Sequence, residues 1–206
     1  MAPPIIPRDA LVLLDYVGIA VFAISGALLA AEKKQTLVTF IFFAVATGIG
    51  GGTMRDLLIG APVFWIKTNA TLLICIGAGL GVWIFSTRMI AARALLWFDA
   101  IGLTAYATYG ASKALDYGVA PVPAFAMGVM TACMGGIIRD VLAGEPSILM
   151  RPELYVTAAA LASGLFVVLA WYGAPAALAA LVAGLAGFSL RGAAITRGLS
   201  LPAYDR

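Results

Sequence analysis

Long apolar runs separated by short polar breaks set the plan of this chain. Span 1 runs from about Ala10 to Ala31 and ends at Glu32-Lys33-Lys34. Span 2 starts near Thr36 and stops near Gly60-Ala61-Pro62, where glycine and proline cannot continue a helix. Span 3 covers about Asn69 to Ser86, with Gly77 and Gly81 at the small-xxx-small spacing that lets helices approach closely. Span 4 runs from about Leu95 to Leu115, and span 5 from about Pro121 to Gly144-Glu145-Pro146. Span 6 covers about Leu154 to Tyr172, and span 7 about Pro175 to Leu190. Crossing a bilayer takes about 20 predominantly apolar residues, and in lipid a helix satisfies its backbone groups within itself. The pattern predicts an all-α membrane protein of seven transmembrane helices, with residues 1–206 forming one transmembrane domain.

Polar positions break this pattern at a fixed interval. Gly50-Gly51-Gly52-Thr53-Met54-Arg55-Asp56 returns 84 positions later as Gly135-Gly136-Ile137-Ile138-Arg139-Asp140. In the same register, Asp15-x-x-Gly18 matches Asp99-x-x-Gly102, Gly26-Ala27 matches Gly110-Ala111, Gly60 and Pro62 match Gly144 and Pro146, and Lys67 matches Arg151. No gap is needed between Asp15 and Arg151. Two copies of a three-helix unit follow, about 10–86 and about 94–172, with a seventh helix at about 175–190. Three is odd, so the second copy enters the membrane from the opposite side, the inverted-repeat layout of many transporters.

Composition agrees: 63% of the 206 residues are hydrophobic and 11% charged, and the mean hydropathy is +1.02, against about 25% charged in soluble domains. The net charge of +3 does not imply nucleic acid, because the basic residues are scattered at helix ends. Lys33, Lys34, Arg88, Arg93, Arg151, Arg191, Arg197 and Arg206 fall on one side of the bundle, and Arg8, Lys67 and Lys113 on the other. The excess of bases on cytoplasmic loops then places the N-terminus outside and the C-terminus in the cytoplasm. The first nine residues lack a basic n-region, so span 1 is expected to be retained rather than cleaved as a signal peptide. Histidine is absent, and Cys75 and Cys133 stand singly in apolar stretches, read as small buried side chains. No metal cluster, phosphate-cradling loop or nucleophile–base pair is visible, so neither enzyme nor cofactor is expected.

Ionisable groups at membrane depth mark function or a helix clamp. Adjacent residues on a helix point about 100° apart, which argues against Arg55 pairing with Asp56 or Arg139 with Asp140. Depth matches Arg55 with Asp15, and Arg139 with Asp99, as two ion pairs related by the pseudo-two-fold. Gly50, Gly51, Gly52, Gly135 and Gly136 suit either a kink with locally unwound carbonyls facing a cation or close helix packing; the adjoining Arg-Asp favours the first. Ser25, Thr47, Thr53, Tyr106, Thr108, Tyr109 and Thr131 are further polar residues within spans, individually weak as signals. Trp65, Trp83, Trp97 and Trp171 lie near span ends as interfacial anchors.

The doubled Gly-Gly-x-x-Arg-Asp motif, Gly51–Asp56 and Gly135–Asp140, resembles the prokaryotic trimeric intracellular cation (TRIC) channel family, over about residues 10 to 192. That resemblance implies a homotrimer in the cell inner membrane, in contact with membrane lipid, each protomer holding its own pore for monovalent cations such as potassium. Kinked helices 2 and 5 would line it, with Gly51, Gly52, Arg55 and Asp56 facing Gly135, Gly136, Arg139 and Asp140. Animal members carry a lysine variant of the second motif and are associated with phosphoinositide; Arg139-Asp140 departs from that variant, so phosphoinositide binding is not carried over. Some bacterial relatives are linked to glycine uptake, which leaves two readings beside a bare scaffold: a passive cation channel, or a carrier in which arginine binds the carboxylate and aspartate the amine of a small neutral amino acid. The orientation is testable: a C-terminal green fluorescent protein fusion should fluoresce and a C-terminal alkaline phosphatase fusion should be inactive, the reverse pattern refuting N-out, C-in.

Overall fold

The apolar runs become seven α-helices in the computed structural model, which describes residues 8–85 and 88–202. They are α1 (Arg8–Glu32), α2 (Leu37–Leu58), α3 (Asn69–Phe85), α4 (Arg88–Asp116), α5 (Pro121–Leu142), α6 (Val156–Trp171) and α7 (Ala176–Arg197). One 3₁₀ turn, Ile148–Met150, precedes α6. Among the described residues, extended structure is limited to one bridge between Glu153 and Ser200. Ser86 and Arg206 lie outside the described residues, as do residues 1–7 and the side chains of Arg8, Arg88 and Arg93. α7 continues past the expected Leu190 to Arg197, where Gly198 takes φ 64° and caps the helix in the left-handed region.

α1, α2, α5 and α7 are each long and apolar enough to cross a membrane, whereas α3 and α6 are shorter apolar helices. Within the first unit α1, α2 and α3 pack on one another, and α4, α5 and α6 repeat the arrangement. The halves meet through α1 against α4 and α2 against α5, while α7 leans on α4 and α6. Lys33 at the end of α1 reaches Glu145 beyond the end of α5, whereas Asp15 near the start of α1 meets Tyr106 late in α4. The two units are therefore inverted: the fold is a 3+3 inverted repeat plus a seventh helix. Below, the N-side is the face where α1 begins and the far side the face where α7 ends. Buried Ile19, Phe22, Ala23 and Ala27 of α1 and Leu103, Tyr106 and Ala107 of α4 form the centre of the core. Val38, Phe42, Leu73, Ile84, Leu178 and Leu185 are exposed and large, the surface a lipid-facing bundle presents.

The glycine stretches do not unwind. α2 and α5 run as continuous helices through Gly50-Gly51-Gly52 and Gly135-Gly136, so the expected freed carbonyls are replaced by close packing. A Cβ on Gly51 would sit 2.2 Å from the Thr131 carbonyl oxygen, and one on Gly135 2.9 Å from that of Thr47. These contacts are mirror partners in the 84-residue register, so the two helices cross backbone to backbone on the pseudo-two-fold. Gly50 faces Ile138, Gly52 the Phe64 ring and Gly136 the Tyr155 hydroxyl. Gly77 and Gly81, expected to seat a neighbouring helix, meet nothing within 4 Å; on α3 it is Gly79 that packs, against Ile41.

Both copies end alike. Gly60 and Gly144 have φ 68°, Ala61 N–H donates to the Asp56 carbonyl and Glu145 N–H to the Asp140 carbonyl, the Schellman closure of a helix C-terminus. Because the Thr131 carbonyl is backbone and cannot swing away, Gly51→Ala should lower the thermal midpoint of the solubilised protein, by an amount matching about 1–3 kcal/mol of overpacking. Gly184→Ala, where a Cβ also meets nothing within 4 Å, should not lower the midpoint, because alanine is the better helix former. Equal midpoints for the two variants would contradict the crossing.

Candidate functional site

Two clusters of ionisable side chains lie toward opposite faces of the apolar bundle. On the N-side, Arg55 Nε donates to Asp56 Oδ1 at 2.8 Å, and Lys113 Nζ, from the end of α4, donates to the same oxygen at 2.8 Å. Asp56 Oδ2 accepts the Phe64 N–H at 3.1 Å, pinning the loop that follows α2. The Arg55 guanidinium stacks 4.9 Å above the Tyr109 ring and 6.0 Å from that of Phe64. Its Nη2 lies 2.8 Å from Asp56 Oδ1 without hydrogen-bond alignment, and its Nη1 has no partner in the protein. Asp15 accepts a 3.1 Å hydrogen bond from the Tyr106 hydroxyl.

On the far side, Arg139 Nε donates to Asp140 Oδ1 at 3.0 Å. Its Nη1 donates to Asp99 Oδ1 at 2.5 Å and to the Ser25 hydroxyl at 2.6 Å. Asp140 Oδ2 accepts the Ile148 N–H at 2.8 Å, the register partner of the Asp56–Phe64 bond. Asp99 Oδ2 and the Tyr155 hydroxyl are buried without a partner in the protein.

The geometry corrects the expected pairing on the N-side. Asp99 does contact Arg139, but Asp15 is engaged by Tyr106, and Arg55 binds its neighbour Asp56. The 100° between adjacent residues does not prevent this: the loop N–H holds one carboxylate oxygen, which turns the other toward the arginine, and the long guanidinium stem reaches sideways. Gly50, Gly51, Gly52, Gly135 and Gly136 frame the helix crossing between the clusters. Thr53 donates to the Ile49 carbonyl at 2.7 Å and accepts the Trp65 indole N–H at 2.9 Å, so Trp65 is tied to α2 rather than being only an interfacial anchor.

Two residues of the site escaped the sequence reading, and a third stood there only as a weak polar signal. Lys113 and Arg191 counted as loop bases, yet Lys113 shares Asp56, and Arg191, 1% exposed, donates to Glu153 at 2.7 Å and stacks 5.3 Å from the Tyr155 ring. Ser25 is the third. A signal existed for two of them: Lys113 aligns with Leu29 and Ser25 with Tyr109, departures from a register in which Asp15, Arg55 and Asp56 match Asp99, Arg139 and Asp140.

A cavity of about 250 Å³ opens on the far side. Buried Asp99, Arg139 and Asp140 lie at its depth, with Glu32, Lys33, Glu145 and Arg151 among the lining nearer solvent. Lys33 and Glu145 form an ion pair across its rim. The Lys33 ammonium holds the Glu145 carboxyl below its ordinary value of 4.5. A depressed carboxyl contributes stability above its unfolded value and loses it as pH falls through the folded one, so this pair holds at neutral pH and opens only in acid. Among the described residues no group of His, Cys, Asp and Glu is arranged to hold a metal ion.

A family model described as glycine transporter matches this chain twice, over residues 12–87 and 96–171. A UPF0126 membrane protein of Vibrio cholerae is 41% identical over 204 residues, covering 94% of this chain and 82% of its own. The UPF0126 inner membrane protein YadS of Escherichia coli is 36% identical over 196 residues, covering 93% and 94%. Among solved structures, the TRIC trimeric intracellular cation channel orthologue from Rhodobacter sphaeroides superposes with TM-score 0.88 at 42% identity, covering 93% of this chain and all (100%) of that one. A prokaryotic TRIC channel in 0.5 M KCl superposes with TM-score 0.86 at 30% identity, covering 95% and 100%.

Asp56→Ala strips Arg55 of its carboxylate partner, leaves Lys113 facing it, and frees the Phe64 N–H. It should cost about 3–5 kcal/mol, the penalty for breaking a buried pair, read as a fall in the thermal midpoint. Lys113→Met leaves Asp56 paired with Arg55 and should cost clearly less.

Proposed function

This chain belongs to the prokaryotic TRIC channel family, and from that premise we propose that it is a passive, potassium-type channel whose path runs inside each protomer, between the two charged clusters. The solved relatives are cation channels. The observation that carries the reading is charge: Asp15, Arg55, Asp56, Asp99, Arg139 and Asp140 are all buried in an apolar bundle, and Lys113 is partly so. Asp56 is bonded to both Arg55 and Lys113, whereas Asp99 Oδ2 is buried without a partner in the protein, which leaves carboxylate oxygen free along the bundle. A permeant cation is favoured there, while Arg55 and Arg139, always protonated, keep it from binding too tightly to leave.

In this reading α2 and α5 frame the path with α1 and α4. Asp15, Arg55 and Asp56 line its N-side vestibule, and Asp99, Arg139 and Asp140 its far-side cavity. Gly50, Gly51, Gly52, Gly135 and Gly136 form the crossing about which α2 and α5 shift, and Thr53 holds Trp65 beside it. The assembly is a homotrimer in the inner membrane, N-terminus outside and C-terminus cytoplasmic. The open faces of Gly77 and Gly81 on α3 suit a neighbouring helix of another protomer.

One observation supports a second reading, a carrier for glycine or a similar zwitterion. Arg55 Nη1 is buried without a partner, beside Lys113, as a carboxylate site would require. Purified protein in liposomes discriminates the two. Unitary potassium currents, without saturable exchange of labelled glycine, are expected; saturable exchange without current would replace the channel with the carrier.

A further inference from the structure

Between the clusters the structure places an aromatic pair that no charge argument requires. Phe22 on α1 and Tyr106 on α4 are register partners, 84 positions apart, both 2% exposed. Their rings meet edge to face with centroids 5.3 Å apart. Each lies over a glycine of the other unit: a Cβ on Gly18 would sit 2.2 Å from the Tyr106 ring, and one on Gly102 3.1 Å from that of Phe22. Gly18 and Gly102 are themselves register partners. A Cβ on Gly135, at the α2–α5 crossing, would lie 3.4 Å from Phe22.

Depth puts the pair at the middle. Phe22 follows Asp15 by seven residues and Tyr106 follows Asp99 by seven, about 10 Å along each helix at 1.5 Å per residue. Because α1 and α4 are antiparallel, both rings fall between the N-side and far-side charges, on the pseudo-two-fold. The match between the rings is broken at one atom: Tyr106 carries a hydroxyl, and that hydroxyl donates to Asp15.

We propose that Phe22 and Tyr106 form the closed seal of the path, and that the Tyr106–Asp15 hydrogen bond is the catch that holds it shut. Two aromatic rings packed edge to face form an apolar constriction, which blocks ions by excluding water. Opening requires one ring to leave the glycine beneath it, which the absent side chains at Gly18 and Gly102 permit as a sliding motion along the helix surface. The N-side charges act on the seal through the catch, because a cation that engages Asp15 competes with the Tyr106 hydroxyl. This inference rests on the channel reading above.

The test uses the full-length protein in liposomes, with potassium flux measured for wild type, Phe22→Ala, Tyr106→Phe and Phe40→Ala. Phe40 is a buried aromatic in an edge contact with Trp83, away from the clusters, and controls for loosened packing. Phe22→Ala removes the seal and Tyr106→Phe only the catch; both should raise flux, Tyr106→Phe about tenfold, the scale of a lost hydrogen bond to a charged group. Tyr106→Phe, which keeps the ring, should raise open probability at unchanged unitary conductance, and it stands as evidence even where Phe22→Ala fails to fold. Phe40→Ala should conduct as wild type does. Wild-type flux with Phe22→Ala and Tyr106→Phe at or below it overturns the seal and leaves the channel standing. A rise in Phe40→Ala equal to that of Phe22→Ala also overturns it. Folded protein that passes no potassium in any form overturns the channel reading, and the seal with it.

Discussion

A guanidinium cannot shed its proton to suit an apolar environment, so an arginine inside a lipid-facing bundle must find its counter-charge within the fold. Arg55 and Arg139 meet that demand first through the next residue in the chain, Asp56 and Asp140. Each aspartate in turn spends its second oxygen on a loop N–H eight residues ahead. The pairing therefore does two jobs at once. It neutralises a buried charge, and it fixes where the chain leaves α2 and α5 and turns back. Loss of Asp56 would leave Arg55 without a carboxylate and the loop without an anchor; Arg139 would still keep Asp99 after loss of Asp140.

Close backbone approach is the second constraint, and it follows from the first. The clusters face one another across α2 and α5 only because Gly51 and Gly135 let those helices touch at Thr131 and Thr47. These glycines do not interrupt their helices, which run on continuously through them. Small residues replace the hydrophobic effect as the reason helices associate in lipid.

The two copies are alike in framework and unlike in chemistry. Arg139 is shared between two aspartates and a serine, whereas Asp56 is shared between an arginine and a lysine. Arg55 finds the Tyr109 ring where Arg139 finds Ser25. The N-side cluster thus has an extra base, Lys113, and more aromatic rings against the same number of aspartates, and the far-side cluster opens onto a cavity. An inverted repeat with matched backbone and unmatched side chains gives a bundle whose two faces need not behave alike.

The chain by itself determined the helices, their number, the repeat and its inversion, because these depend on local quantities: runs of apolar residues long enough for lipid, breaks at Gly60 and Gly144, and an odd number of spans per copy. It also singled out Arg55, Asp56, Arg139 and Asp140, since a charge in an apolar run is visible without any structure. Partner choice was not local. Whether Arg55 turned to Asp15 or Asp56 depended on a Phe64 backbone N–H that presets the carboxylate, and on Tyr106 reaching Asp15 from another helix. Lys113 and Arg191 looked like loop bases until packing buried them against Asp56 and Tyr155. The glycine stretches carried two meanings in sequence, unwinding or contact, and only the position of the facing carbonyls decided between them. Tertiary structure settled what depends on the distance between side chains remote in the chain, which no spacing along one helix encodes.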